Sequence, residues 1–304
     1  MNVLVTGGAG FIGSHIVDQL IGAGHTVSIV DSLVTGHREH VHRQATLAVM
    51  DIRDPQLGAL LESKRPEVVV HAAAQVSVSR SVTDPMVDAS VNVLGTVALL
   101  EHCRRAHVRR VVYISTGGAA YGDTDVIPTP ETHPARPASP YGISKVTAER
   151  YVELWRDLTD GEAVVLRLAN VYGPRQNAEG EAGVVAIFTE RARRRRPCRV
   201  NGDGEQTRDF VFVTDVADAV LRAVEAPRTD GIFNISTGRE TSVNQLVAEL
   251  QQVISTPLFL EYGPARQGEQ RRSVLDSRLA ERQLNWKATT PLAEGLALTV
   301  KHTS

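Results

Sequence analysis

The sequence predicts an α/β fold in which helices cover both faces of a doubly wound parallel sheet, joined by a second, smaller α/β region. Short apolar runs bounded by turn residues, such as Val3–Val5 and Val68–Val70, alternate with helical patterns. Short buried strands that alternate with helices are typical of βαβ units. A glycine-rich turn directly after the first run is the second observation that favours this class.

The predicted elements divide the chain at about residue 170. Six apolar runs before that point are predicted strands, at 3–5, 26–30, 46–49, 68–70, 111–114 and 163–168. After Asn170 the alternation of predicted strands and helices gives way to glycine-rich turns, and a helix is predicted from Val184 to Arg195. We therefore expect a first region at 1–170 and a second at 171–304. A strand predicted at 231–236 could return to the main sheet, so the two regions are expected to interleave.

Composition excludes several classes of protein. The 304 residues are 42% hydrophobic and 22% charged, which is enough apolar material for a large core. Thirty-three basic against 35 acidic residues give a net charge of −2, so neither nucleic acid nor an anionic membrane is an expected partner. The arginine tract 191–196 is interpreted as the charged end of a helix. With two cysteines, no metal-ligand spacing and no long apolar run, we expect a cytoplasmic protein without a metal site.

The turn after the first strand has glycines at the spacing of a dinucleotide-binding loop. It reads Gly7-Gly8-Ala9-Gly10-Phe11-Ile12-Gly13 and precedes a predicted helix. Glycines let the backbone approach a pyrophosphate, whose charge then lies on free N–H groups at the helix N-terminus. A plain tight turn is the alternative. In this context we predict a Rossmann-type site in which Gly7, Gly10, Phe11, Ile12 and Gly13 bind the cofactor.

Two further strand ends are predicted to contact the same cofactor. Asp31 ends the second strand, eighteen residues after Gly13, where a carboxylate can accept hydrogen bonds from ribose hydroxyls. A 2′-phosphate would be repelled there, and no Arg or Lys occupies positions 32–35 to receive it. The prediction is therefore NAD in preference to NADP. Asp51 and Ile52, after the third strand, are expected to flank the adenine.

A tyrosine and a lysine one helical turn apart are the candidate catalytic pair. Tyr141 and Lys145 are at i and i+4, so they share one face of the helix that opens at Pro140. An ammonium beside a phenol favours the phenolate, so Lys145 is expected to lower the pKa of Tyr141 toward the range of a general base. The bare pattern is common and usually structural. A dinucleotide loop and the hydroxyl-rich strand end Ser115-Thr116 make the catalytic interpretation the favoured one.

Taken together, these motifs resemble the extended short-chain dehydrogenase/reductase superfamily, and within it the nucleotide-sugar epimerase/dehydratase branch. The resemblance covers nearly the whole chain. It implies NAD as cofactor, with Ala72, Ala73, Asn92 and Ser115 in its site, and a UDP-sugar as substrate. The matching segments are 6–15, 71–75, 92–96, 121–122, 141–145, 170–174, 202–210 and 284–286.

The sequence departs from this family at the catalytic hydroxyl. The family Ser or Thr lies four residues before the Tyr of a Tyr-Gly pair, and counting back from Tyr121 reaches Gly117. Thr116, Ser115 or a water must replace it, and Thr116 is assigned. Family dehydratases carry an acidic pair where this chain has Gly118 and Ala119. The resemblance therefore implies reversible 4-epimerisation of a UDP-sugar, with a nucleotide-4-keto-sugar reductase or dehydrogenase, or a non-catalytic dinucleotide sensor, as alternatives.

The second region resembles the family's cradle for the nucleotide diphosphate. By that resemblance Asn170, Arg208 and Arg266 hold the phosphates and Glu269 holds the nucleotide ribose, while Thr116 and Tyr141 contact the sugar. The planar guanidinium group of arginine can donate two parallel hydrogen bonds to phosphate oxygens. Ser273 either lines the sugar pocket or begins a strand, 273–276, and faces solvent. The sugar pair, whether glucose/galactose, N-acetylated or uronate, stays open.

The resemblance also implies a homodimer formed by two helical segments, 85–104 and 141–155. Their apolar side chains exceed what a surface helix needs, although some must face the sheet. The residues concerned are Val91, Val93, Leu94, Ala98 and Leu99 on the first segment and Val146, Ala148, Val152 and Leu154 on the second.

Overall fold

A seven-stranded parallel sheet forms the centre of the computed structural model, which describes residues 1–178, 183–265 and 270–303. The strand order is β11-β6-β5-β4-β1-β2-β3, so the direction of winding reverses between β1 and β4. Ligands of such sheets bind outside the carboxyl ends of the strands at this reversal. The strands are β1 (Asn2–Thr6), β2 (Thr26–Asp31), β3 (Thr46–Val49), β4 (Val68–His71), β5 (Arg110–Thr116), β6 (Glu162–Leu168) and β11 (Gly231–Ile235).

Helices cover both faces of this sheet, because successive side chains of a strand point to opposite sides. Val3 and Val5 pack into one apolar cluster with α1 and α9, whereas Leu4 packs into another with α2, α5 and α7. The helices are α1 (Phe11–Gly22), α2 (Leu57–Lys64), α3 (Val78–Thr83), α4 (Pro85–Ala89), α5 (Gly95–Arg105), α6 (Gly118–Tyr121), α7 (Pro140–Thr159), α8 (Val184–Arg193), α9 (Val213–Glu225), α10 (Val243–Val253), α11 (Arg278–Gln283) and α12 (Leu292–Thr303).

The longest helix, α7, begins with strong local signals. The hydroxyl of Ser139 accepts a hydrogen bond from the Gly142 N–H, and Pro140 occupies the first turn. Gly142 itself lies against α6, since a Cβ there would meet the Ala119 carbonyl oxygen at 2.5 Å. These contacts fix the first turn of α7, which carries Tyr141, against α6, the short helix that follows β5.

The second region has small sheets and an apolar core of its own. Phe188, Val200, Leu246 and Leu296 belong to this core, which joins α8, α10 and α12. Its strands form the pairs β10-β7 and β13-β8 and the three-stranded sheet β12-β9-β14. They are β7 (Asn170–Tyr172), β8 (Cys198–Asn201), β9 (Thr207–Arg208), β10 (Phe210–Phe212), β12 (Thr241–Ser242), β13 (Leu260–Gly263) and β14 (Arg272–Ser273).

The chain returns to the first region after entering the second. Strand β11 pairs in parallel with β6, with Phe233 opposite Leu166, and Trp286 is fully buried in the same cluster as α1 and α9. The expected strand at 273–276 is shorter than predicted, because β14 ends at Ser273 and only a single bridge at Leu275 follows. No helix in the described ranges is long and apolar enough to cross a membrane.

Candidate active site

The glycine-rich loop between β1 and α1 has no room for side chains. Gly7 has φ +72° and a Cβ on it would lie 2.7 Å from the Ala73 nitrogen, while a Cβ on Gly13 would collide with the Gly7 carbonyl oxygen. The residue before α1, Gly10, is extended and offers no side-chain cap. The first N–H groups of the helix, at Phe11 and Ile12, are therefore available to an anion, which is the arrangement that a dinucleotide pyrophosphate needs.

Asp31 is buried at the end of β2 and supports this loop. Its two carboxylate oxygens accept hydrogen bonds from the Ala9 N–H at 2.9 Å and the Leu33 N–H at 2.8 Å. Gly36 lies against the same carboxylate, because a Cβ there would meet Asp31 Oδ1 at 2.7 Å. Each carboxylate oxygen keeps a second lone pair, so bracing the loop leaves capacity for a further donor.

The other predicted cofactor residues follow the ends of β3 and β4. Asp51 is paired with Arg53, with Nη2 to Oδ2 at 2.7 Å, and this hydrogen bonding lowers the pKa of Asp51. Ile52 is buried beneath Gly95. Ala72 and Ala73 lie beside the glycine loop, where the Ala73 N–H donates to the Thr6 hydroxyl at 3.2 Å.

The phenol of Tyr141 lies beside Thr116 at the end of β5, and this contact acts to lower the pKa of Tyr141. Sequence reasoning left Ser115, Thr116 or a water as the hydroxyl. The structure directs Ser115 elsewhere, because its Oγ donates to Glu149 Oε1 at 2.5 Å. Of the two side chains, Thr116 is thus the one at the phenol.

The expected effect of Lys145 on Tyr141 is wrong. Burial and the carboxylate of Asp88 raise the pKa of Tyr141 to about 12, and only the hydrogen bond with Thr116 acts in the lowering direction. Lys145 donates instead to the Ile114 carbonyl oxygen at 2.7 Å and lies 4.3 Å above the Tyr113 ring. Its own pKa is lowered to about 7 because it is buried, against the opposing charges of Glu149 and Asp88.

A buried ion pair lies below the catalytic residues. The Arg167 guanidinium donates to Glu149, with Nη2 to Oε2 at 2.6 Å, and both side chains are almost completely buried. Arg167 also lies 4.8 Å above the ring of Tyr121. Glu149 is two turns after Tyr141 on α7, so this pair fixes the helix that carries the phenol and the lysine against β5 and β6.

A second buried carboxylate, Asp88 on α4, was missed from the sequence. Gln75 Nε2 donates to Asp88 Oδ1 at 2.8 Å, and Asn92 Nδ2 donates to the same oxygen at 3.1 Å. Asn92 also donates to Ser144 Oγ at 3.1 Å, so its amide is fully engaged by protein groups. The i, i+4 spacing of Asp88 and Asn92 on one helical face was the signal that could have indicated the pair.

Replacing Asp88 by asparagine is expected to move the pH profile of turnover to lower pH. The carboxylate raises the pKa values of both Tyr141 and Lys145. Without that charge, Tyr141 ionises and Lys145 loses its proton at lower pH, so both limbs of the profile shift by about one unit. Rates measured between pH 5 and 10 test this, with the exposed Asp157→Asn on α7 as control. An unchanged pH profile in the Asp88→Asn variant would show that Asp88 acts only through packing.

Three of the residues predicted only for the substrate, Asn170, Arg208 and Ser273, lie in the described part of the chain. Asn170 on β7 is adjacent to β10, and its Nδ2 donates to the Asp209 carbonyl oxygen at 3.4 Å. Arg208 on β9 pairs in register with Ser273 on β14. Ser273 is 6% exposed and its hydroxyl would lie 3.2 Å from a Cβ on Gly118, so the solvent-facing alternative is wrong. Arg266 and Glu269 lie outside the described residues.

Comparison with known proteins identifies the family. The model of the NAD dependent epimerase/dehydratase family matches residues 3–236. The chain belongs to this family. The match spans the glycine loop, the Tyr141–Lys145 pair and the strand that returns to the sheet, which confirms the predicted fold class and the resemblance.

Named members of the family match over almost their whole length. UDP-glucose 4-epimerase of Mycolicibacterium smegmatis is 46% identical, with 99% of this chain and 98% of that protein covered. The structure of UDP-glucose 4-epimerase from Thermotoga maritima with UDP-glucose has a TM-score of 0.97 at 46% identity and covers 100% and 98% of the two chains. That of the Thermus thermophilus enzyme with NAD has a TM-score of 0.94 at 41% identity, covering 99% and 98%.

Proposed function

We propose that this protein is an NAD-dependent UDP-sugar 4-epimerase. The observation that carries the proposal is the placement of the Tyr141 phenol on Thr116, at the same edge of the sheet as the glycine loop. Positions 118 and 119, where dehydratases of the family carry acids, hold Gly and Ala. Similarity to enzymes named UDP-glucose 4-epimerase over nearly the full chain supports the same activity.

The residues around the glycine loop fit NAD. The free N–H groups of Phe11 and Ile12 would take the pyrophosphate, and Asp31 would take the adenosine ribose while disfavouring a 2′-phosphate. Ile52 and Ala72 follow the ends of β3 and β4 at this edge and would form its apolar walls. When bound, NAD supplies the hydride acceptor and a positive charge at its nicotinamide ring. That charge favours the phenolate of Tyr141.

In the proposed reaction Tyr141 moves the proton and Thr116 positions the sugar hydroxyl. Tyr141, as the phenolate, accepts the proton of the 4-hydroxyl while C4 gives up a hydride, and a 4-keto sugar results. After the sugar has rotated, Tyr141 returns its proton to the oxygen and C4 regains the hydride on the opposite face. No net oxidation occurs, so the cofactor is not consumed. Arg208 and Asn170, together with Arg266 and Glu269, are proposed to hold the nucleotide during the rotation.

Conversion of UDP-glucose and UDP-galactose in separate reactions tests this function. Each substrate should be converted without added NAD, because an epimerase retains and regenerates its cofactor. The two reactions should end at the same mixture, because both approach one equilibrium. A nucleotide-4-keto-sugar reductase or dehydrogenase would instead require added cofactor in proportion to product. A protein that binds NAD but converts neither sugar, nor their N-acetylated or uronate counterparts, would favour the sensor alternative.

Replacing Ser273 by tyrosine is expected to discriminate among substrates by size. Ser273 is buried beside Gly118, so a large side chain there would fill space next to the end of β5. We expect kcat/KM for UDP-N-acetylglucosamine to fall at least about tenfold more than that for UDP-glucose, since the acetamido group needs the room. The neighbouring exposed Arg272→Gln serves as control. Equal losses on all substrates would remove Ser273 from the specificity argument.

The homodimer is proposed on an exposed apolar face formed by α3, α4, the segment Ser90–Leu94 and α7. Four of the residues predicted for it pack against the core instead, because they lie on the inner faces of their helices: Leu99, Ala148 and Val152 are buried and Val91 is partly buried. The exposed apolar side chains are Val78, Val82, Met86, Leu94, Ile143, Tyr151, Leu154 and Leu158. A continuous exposed face of this kind is typical of an interface between subunits.

A double replacement of Leu94 and Leu154 by glutamate is expected to give a monomer. These side chains are 65% and 49% exposed, so the change should not disturb the core. Light scattering at micromolar concentration should give twice the chain mass for the unmodified protein and the chain mass for the variant. Leu298→Glu, on the distant helix α12, should remain dimeric. A monomeric unmodified protein would contradict the proposal.

A further inference from the structure

A second cavity lies apart from the candidate active site. It has a volume of about 460 Å³ and is bounded by the turn 37–40, the segment Gly173–Ala178, α8 and α12. Neither Tyr141 nor Thr116 is among its described lining residues. The cavity therefore lies between the two regions of the fold and is not used by the proposed reaction.

Buried polar atoms without a partner concentrate in this cavity. In the described part of the chain, seven buried side-chain nitrogen or oxygen atoms have no hydrogen-bond partner, and four of them belong to lining residues. They are His40 Nδ1, Arg175 Nη1, Gln176 Oε1 and Thr189 Oγ1. Thr189 is only 4% exposed. Leaving such groups unpaired destabilises the folded protein, so their concentration in one place indicates a ligand.

The walls of the cavity are held by contacts that do not use these atoms. Arg175 Nη2 is paired with Asp18 at 2.7 Å, which leaves Nη1 for another acceptor. Gln176 Nε2 donates to the Val171 carbonyl oxygen at 3.1 Å, which leaves Oε1 for another donor. The His37 N–H donates to the Ala9 carbonyl oxygen at 3.0 Å, so the turn 37–40 is fixed to the glycine loop.

The unpaired atoms define the chemistry of the ligand. Arg175 Nη1 is a donor for an anion, and His40 Nδ1 is a second donor in the tautomer that carries its proton on that nitrogen. Gln176 Oε1 requires a donor such as a hydroxyl, and Thr189 Oγ1 can bond to either kind of group. The volume is in the range of sites for small metabolites. A molecule with both an anionic group and hydroxyl groups satisfies all four atoms.

We propose that this cavity binds a phosphate ester of a monosaccharide. Its phosphate would contact Arg175 and His40, and its hydroxyls would contact Gln176 and Thr189. This site goes beyond the proposed epimerase function and does not depend on it, because none of the four residues has a part in the reaction.

Calorimetric titration of the full-length, NAD-loaded protein with glucose 6-phosphate tests the proposal. Saturating UDP is present to fill the candidate active site, and inorganic phosphate and glucose are titrated separately. Glucose 6-phosphate should bind with a Kd below about 1 mM, phosphate more weakly and glucose at least about tenfold more weakly. Absence of heat with glucose 6-phosphate at millimolar concentration would overturn the proposal. Equal affinity for phosphate and glucose 6-phosphate would also contradict it, since the hydroxyl contacts would then contribute nothing.

Two variants assign the binding to this cavity. Thr189→Val, which keeps the shape of the side chain, should weaken glucose 6-phosphate about fivefold, and Arg175→Gln at least about tenfold. Thr159→Val at the end of α7 is the matched control and should bind normally. Because Arg175 also pairs with Asp18, the folded state of each variant is checked by circular dichroism, and Thr189→Val decides the outcome if Arg175→Gln is unstable. Unchanged affinity in Thr189→Val would place the binding elsewhere.

Discussion

Replacing Tyr141 by phenylalanine is expected to reduce turnover by at least ~10²-fold while the fold and NAD binding are retained. The substitution keeps the ring and removes only the oxygen that meets Thr116. The backbone N–H of residue 141 would still donate to Ser81 Oγ, now at 3.1 Å, so the start of α7 should not move. Steady-state rates with UDP-glucose and a titration with NAD measure the two quantities.

Tyr151→Phe is the matched control for this variant. Tyr151 lies on the same helix, 41% exposed, on the proposed subunit face and outside the site; phenylalanine keeps its ring there, so kcat should stay unchanged. A near-normal rate for Tyr141→Phe would show that another group carries the proton and would overturn the proposed mechanism.

Replacing Glu149 by glutamine is expected to lower the free energy of unfolding by about 3 kcal/mol. The change leaves the buried Arg167 guanidinium without its counter-charge, and breaking a buried pair on one side typically costs ~3–5 kcal/mol. The amide oxygen can still accept one hydrogen bond, which puts the expected value at the lower end. The midpoint of urea unfolding should therefore fall with an unchanged slope.

The double variant Glu149→Gln with Arg167→Gln separates the charge from the packing. It should be less destabilised than the sum of the two single variants, because it removes both charges together. Glu153→Gln is the control, since the partner of Glu153, Arg150, is mostly exposed and such pairs contribute little. An unfolding midpoint for Glu149→Gln equal to that of the unmodified protein would contradict the importance given to this pair.

The parts of the site that could be predicted are those encoded by local spacing. The glycine loop, Asp31 and the Tyr141–Lys145 pair each depend on a strand end or a helical turn that the neighbouring residues define. The parallel alternation then brings them to one edge of the sheet. That is why the fold class and the family followed from the sequence.

The contacts that tune the site could not be predicted, because they join residues distant in the chain. Glu149 meets Ser115, 34 residues away, and Asp88 meets Gln75, 13 residues away. The sign of the Tyr141 pKa shift depends on burial and on Asp88, neither of which the i, i+4 pattern reveals. The burial of Ser273 similarly follows from the pairing of β14 with β9.

The fate of the C4 hydrogen during epimerisation tests the central claim most directly. UDP-glucose carrying deuterium at C4 is converted by the protein in ordinary water, and the UDP-galactose formed is analysed by mass spectrometry and NMR. Transient oxidation at C4 by a retained cofactor predicts that the deuterium stays at C4 of the product, because the hydride removed is the one returned. Exchange of that deuterium with solvent would contradict the account, as would the absence of conversion of UDP-glucose and of its N-acetylated and uronate counterparts alike.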